Sequence, residues 1–153
     1  MDSLYFEDLR PYMEFRSAMS RIFTLEAVEA FFTLTGDRVH RPSTGTPDTP
    51  GAPGTVMVQG NFIVSVTGGL LFDVGHFTET IFAQARKDTH FRLPLFVGER
   101  IYAIERITAL SDRPEKPFGK VNLERKTFAE DGRLVLETMQ DYRILKRPAL
   151  AQI

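Results

Sequence analysis

No cysteine occurs among the 153 residues, which removes disulfides, thiolate nucleophiles and cysteine-held metals together and fits a reducing compartment. Charge of one sign is not in excess either. The 19 Lys and Arg stand against 20 Asp and Glu, for a net charge of −1, so there is no electrostatic footprint for a nucleic acid. A membrane-spanning run is also missing. The most apolar segment, Phe62 to Val74, is interrupted by Gly68, Gly69 and Asp73 and falls short of the ~20 residues a bilayer requires. The opening Met-Asp-Ser-Leu-Tyr-Phe-Glu-Asp is acidic where a secretory signal is basic, so a cytoplasmic location is expected. What is present is ordinary for a globular chain: 42% hydrophobic and 25% charged residues, in a length that suits one domain over 1–153.

Thr24 is a plausible helix N-cap, with Glu26 and Glu29 near the positive helix end and apolar Leu25, Val28, Phe31, Phe32 and Leu34 behind it; Gly36 supplies the stop. Residues 42–54 contain four of the nine prolines, which excludes helix and sheet interior and predicts a long loop, functional or poorly ordered. A second helix is expected from about Gly60 to Phe72, apolar over nearly its whole circumference and therefore enclosed. Its Gly68-Gly69 pair predicts either close approach of another backbone, such as a partner subunit's, or a break.

Beyond about Thr80 the pattern changes to alternation over Ile81–Arg86, His90–Leu95, Arg100–Leu110, Lys120–Phe128 and Leu134–Leu145, the last two joined by a Glu130-Asp131-Gly132 turn. Asp112 to Gly119 reads as a loop and Lys146 to Ile153 as a short tail. In the last strand Thr138 and Gln140 share a face with Leu134, Leu136, Tyr142 and Ile144, so that face is expected to leave the core midway. One apolar helix followed by about five antiparallel strands implies an α+β arrangement in which the sheet curls around the helix.

Four stretches add a resemblance. Tyr5-Phe6-Glu7-Asp8-Leu9, Phe31-Phe32-Thr33-Leu34-Thr35-Gly36-Asp37, Val58-Gln59-Gly60 and Phe91 to Glu99 are similar, in order and spacing, to segments of the MaoC-like dehydratases and (R)-specific enoyl-CoA hydratases. The resemblance implies a hotdog subunit that forms a homodimer or higher homo-oligomer and takes a coenzyme A or acyl-carrier-protein thioester. It implies no metal and no cofactor. Asp37 falls on the family's catalytic aspartate, and His40 is the nearby histidine. Gly60 falls where backbone amides hold the thioester carbonyl, Gln59 where many relatives carry histidine, and Ser65 on a small polar position that relatives often share. Family hydratases run Gly-Asp-x-Asn-Pro-x-His, whereas this chain reads Gly36-Asp37-Arg38-Val39-His40, with the histidine two residues nearer.

Hydration of an enoyl thioester needs a base for water, an acid for the α-carbon and donors for the carbonyl oxygen. Asp37, His40 and Gly60 match those roles under the resemblance. Three readings stand: a hydratase or dehydratase, a hotdog protein that binds an acyl thioester or partner without hydrating it, and an acyl-CoA thioesterase. His76 and His90 lack ligand spacing and are assigned no role. Arg92 and Arg100 are candidates to attract coenzyme A phosphates, although isolated strand arginines are usually solvated.

Overall fold

A computed structural model describes residues 3–18, 20–37 and 56–148. In chain order these form a 3-10 turn at Phe6–Asp8, strand β1 (Glu14–Arg16), helices α1 (Leu25–Thr35) and α2 (Gly60–Asp73), and strands β2 (Ile81–Phe91), β3 (Ile101–Ser111), β4 (Phe118–Ala129) and β5 (Leu134–Leu145). The strands make one antiparallel sheet in the order β1-β3-β4-β5-β2. Among the described residues no helix is long and apolar enough to cross a membrane.

Local chemistry sets the boundaries. The Thr24 hydroxyl accepts from the Ala27 N–H at 3.1 Å to open α1, and Gly36, at φ 72°, closes it with its N–H on the Phe32 carbonyl. Gly132, at φ 90°, turns the β4–β5 hairpin as expected, with the Ala129 N–H on the Arg133 carbonyl at 2.9 Å. Ser17 and Ser20 extend the β1 edge with their hydroxyls, which accept from the Ala103 and Ile101 N–H groups at 2.8 and 3.0 Å. That pins the segment leading into α1.

Several expectations change. The segments 81–86 and 90–95 are not two strands but one, because Lys87 and Thr89 stay in register with Gln140 and Thr138 of β5. The fifth strand is instead β1, near the chain start. Helix α2 runs through Gly68-Gly69 without a break. Among the described residues of this chain nothing lies within 4 Å of a Cβ built at Gly69, and the nearest group to one built at Gly68 is the Arg125 guanidinium, 3.9 Å away, so neither glycine is required by a neighbouring backbone of the same chain. Nor is α2 enclosed on every side. Only Ile63, Thr67 and Leu71 are buried, one stripe at i, i+4, i+8, while Asn61, Ser65, Gly69 and Phe72 are exposed. Residues 42–54 lie outside the described residues, and of the expected tail only Lys146, Arg147 and Pro148 are described. Arg147 there pairs with Asp8 at 2.7 Å.

The face of β5 that was expected to leave the core does not leave it. Leu136, Thr138, Gln140, Tyr142 and Ile144 are all buried, because the concave face carries a polar band. One apolar cluster gathers Phe23, Val28, Ile63, Leu95, Ile101 and Leu136; another gathers Leu9, Phe15, Ile107, Val121, Tyr142 and Ile144. Between them Glu105 pairs with Arg125 across β3 and β4, both at most 5% exposed. The Arg125 Nε donates to Glu105 Oε2 at 2.7 Å, and its Nη2 reaches the same oxygen. The Thr127 hydroxyl meets that of Thr67 at 3.3 Å, which ties α2 to the sheet. Tyr142 donates to Gln140 Oε1 at 2.9 Å and receives Gln84 Nε2 at 3.2 Å; burial pushes its phenol up from the usual tyrosine range.

Removing one member of a buried ion pair strands the other charge. Arg125→Met is therefore expected to lower unfolding stability by about 3–5 kcal/mol, and adding Glu105→Leu to restore most of the loss. Urea unfolding of the two variants tests this; a double variant no more stable than the single one contradicts it.

Candidate functional site

The site is assembled where the end of α1 meets the start of α2. Phe62, in the first turn of α2, stacks on Phe31 of α1 with ring centroids 4.8 Å apart and meets Phe23 edge-on at 5.2 Å. These contacts hold the two helices so that the residues after Gly36 lie beside residues 59–61. Gln59 Nε2 donates to the Val28 carbonyl at 3.0 Å and reaches the Asp37 carbonyl at 3.5 Å. Asn61 Nδ2 reaches Asp37 Oδ2, also at 3.5 Å, the outer limit for a hydrogen bond. The Asp37 N–H is itself held by the Thr35 hydroxyl at 3.1 Å.

The first bond within α2 runs from the Ile63 N–H to the Gln59 carbonyl. The amides of Gly60, Asn61 and Phe62 thus precede the helical ladder and form the positive end of the helix dipole. Gln59, the N-cap, makes no side-chain cap bond, and its buried Oε1 has no partner. The arrangement therefore combines a carboxylate, a buried amide oxygen without a donor and a helix end rich in N–H groups. It is suited to hold a water molecule beside an oxygen that gains negative charge.

Of the residues singled out in the sequence, Asp37, Gln59 and Gly60 are brought together. Ser65 lies one turn further along α2, exposed, with its hydroxyl donating to the Asn61 carbonyl at 2.9 Å. His40 lies outside the described residues. Two neighbours were not foreseen. Asn61 shares the exposed stripe of α2 with Ser65, a spacing of four that helical periodicity makes visible in hindsight. Phe91 ends β2, and its ring lies over Gly60: a Cβ built at Gly60 would come within 2.6 Å of Phe91 Cε1. Nothing in the local sequence pairs positions 60 and 91.

A small cavity of about 300 Å³ opens here, lined by Met57, Val58, Gly60, Ile63, Phe91 and residues 92–95. Arg92 is engaged by Glu137, with Nε at 2.8 Å, and Arg100 donates to the Ser20 carbonyl at 3.0 Å. His76 lies against the Phe15 ring at 4.8 Å. Among the described residues no cluster of His, Asp and Glu is placed to hold a metal.

No family model matches the chain, and no curated protein matches it. Solved structures do. A MaoC-like dehydratase from Rhodospirillum rubrum is 17% identical, with 96% of this chain and 100% of that one covered at a TM-score of 0.80. An (R)-hydratase from A. caviae is 24% identical, with 93% and 99% covered at 0.61. A Mycobacterium tuberculosis protein described as a double hotdog fold is 20% identical over 99% of this chain and 47% of its own, at 0.79. The chain has the hotdog fold that these proteins share.

Glycine 60 and Gly119 both sit under aromatic rings, yet they should respond differently to a methyl group. At Gly60 the contact is the tip of Phe91, which is 56% exposed and free to turn. At Gly119 the Cβ would strike the Phe6 ring close to its base. Gly60→Ala is expected to shift the thermal midpoint by under about 3 °C, whereas Gly119→Ala, an overpacking of about 1–3 kcal/mol, should lower it by about 4–10 °C. Thermal melts of the two variants decide; equal shifts would contradict the assignment of Phe91 as the yielding neighbour.

Proposed function

We propose that this chain is a hydratase or dehydratase of enoyl thioesters, acting at the 2,3 bond of an acyl group carried by coenzyme A or an acyl carrier protein. The observation that carries the reading is the meeting of Asp37 with the start of α2, its carboxylate with Asn61 and its backbone carbonyl with Gln59. In the hydration direction Asp37 accepts a proton from water as the water oxygen bonds to C3, and the same proton is then returned from the Asp37 carboxyl to C2 of the enolate, which restores the carboxylate. The amides at Gly60 hold the thioester oxygen while charge collects there. Asn61 orients the carboxylate, and the unpartnered Gln59 Oε1 accepts a hydrogen bond from the water. His40 takes the family's second catalytic position under the resemblance. The folds of the R. rubrum dehydratase and the A. caviae hydratase support the reaction class.

The working form is proposed to be a homodimer. Strand β2 is an eleven-residue sheet edge with exposed Phe82 and Phe91, a kind of edge that folded proteins cover. The double hotdog of the M. tuberculosis protein supports pairing of two such units. A cytoplasmic location is retained as part of the proposal.

Crotonyl-CoA and longer enoyl-CoAs should lose their conjugated absorbance in the presence of the protein, with Asp37→Asn slowing turnover by about 10²–10⁴-fold. Unchanged turnover in that variant would remove Asp37 from the mechanism. Acyl-CoA that raises the melting temperature without being consumed would exclude hydration and leave binding alone.

A further inference from the structure

The concave face of β2 carries a second set of groups, and their side chains follow from the register. Phe91, Thr89 and Lys87 pair with Leu136, Thr138 and Gln140 of β5, all three buried on the concave side. Phe91 covers Gly60; Thr89 and Lys87 continue from it along the same face, away from the start of α2. No register shift interrupts the stretch from Lys87 to Phe91, so the two Cα atoms are about 13 Å apart along the strand.

Donors collect at the far end without acceptors to match. Gln140 is 2% exposed; its Oε1 is taken by Gln84 at 2.6 Å and by Tyr142, while its Nε2 has no partner. Lys87, directly opposite Gln140, has no ion-pair partner among the described residues, whose ion pairs engage other cations. Arg125 lies close enough to act on Lys87 electrostatically, and its one carboxylate, Glu105, does not offset both cations. Burial and then Arg125 hold the Lys87 ammonium below the usual lysine range. Lys87 is still exposed, so water reaches the cation, but the buried Gln140 donor without a partner is unfavourable in an empty site, and an anion held by both groups relieves it.

We infer that Lys87 and Gln140 form a site for a carboxylate at the distal end of the acyl group, so that the preferred substrate is a thioester of a short dicarboxylic acid. This rests on the reading that the thioester carbonyl sits at Gly60. With the carbonyl there, a short acyl chain along β2, together with the four-carbon stem of the lysine, spans the distance to the ammonium. Gln140 Nε2 supplies a second hydrogen bond to the carboxylate, and Thr89 lines the path between.

Saturated thioesters separate this inference from the hydration reading, because they bind without a double bond to hydrate. Titration calorimetry of the full chain with glutaryl-CoA and with hexanoyl-CoA, of matched length, is expected to give an affinity at least about tenfold higher for the first. Lys87→Met should abolish the difference and leave hexanoyl-CoA binding unchanged, while Lys87→Arg should keep it. Equal affinities in the parent protein would overturn the inference, as would failure of both thioesters to bind or loss of both in Lys87→Met. A preference for glutaryl-CoA in a protein that hydrates no enoyl-CoA would leave the site standing and remove only the reaction.

Discussion

Two opposite charges, Glu105 and Arg125, lie side by side on the concave face of the sheet with almost no access to water. Such a pair is stable only when its geometry is good and its remaining hydrogen-bonding groups are engaged, and much of the fold answers to that condition. The pair separates the two apolar clusters. It collects Thr138, Gln140 and Tyr142 on the neighbouring strand, which explains why polar residues occupy the inward positions of β5. It also lies beneath Gly68 of α2, where a larger side chain would press on the guanidinium from above. The helix is then seated by apolar contacts on one side of the band and by Thr67 on Thr127 at its middle.

The candidate site depends on a separate set of contacts at the apolar end of the fold. Phe62 joins α1 to α2 through Phe31 and Phe23, and Gln59 is locked to the Val28 carbonyl. The three rings do no chemistry in the proposed reaction, and Gln59 only holds the water. They determine how far the carboxylate of Asp37 stands from the amides that open α2, and distance is what separates a working arrangement from a list of suitable residues. Placing the site at the junction of two helices and the end of an edge strand also brings Phe91 and Lys87 onto one path with Gly60.

Much of this was legible in the sequence where the signal is local. Thr24 and Gly36 bound α1, the Asp131-Gly132 turn forms its hairpin, and strand β5 has the expected limits. The errors came where neighbours decide. Lys87-Asp88-Thr89 looks like a break in a strand because its polarity has no period, yet ladder pairing with β5 carries the strand through. Thr138 and Gln140 looked like a face turning to solvent because a polar residue is assumed exposed until its buried partner is known. Glu14 to Arg16 is too short to show alternation, and only pairing with β3 makes it a strand.

The sequence by itself determined the α+β class and the caps and turns, since each depends on residue types at short and regular spacing; Asp37, Gln59 and Gly60 were singled out only through the resemblance. The tertiary structure decided which of these residues meet. Asp37 and Asn61 are 24 positions apart, Gly60 and Phe91 are 31, and Glu105 and Arg125 are 20; no periodicity of 2 or 3.6 reaches across such intervals. Strand register and the packing of one ring on another bring them together. The polar band in the core and the cationic end of β2 exist only once that register is set.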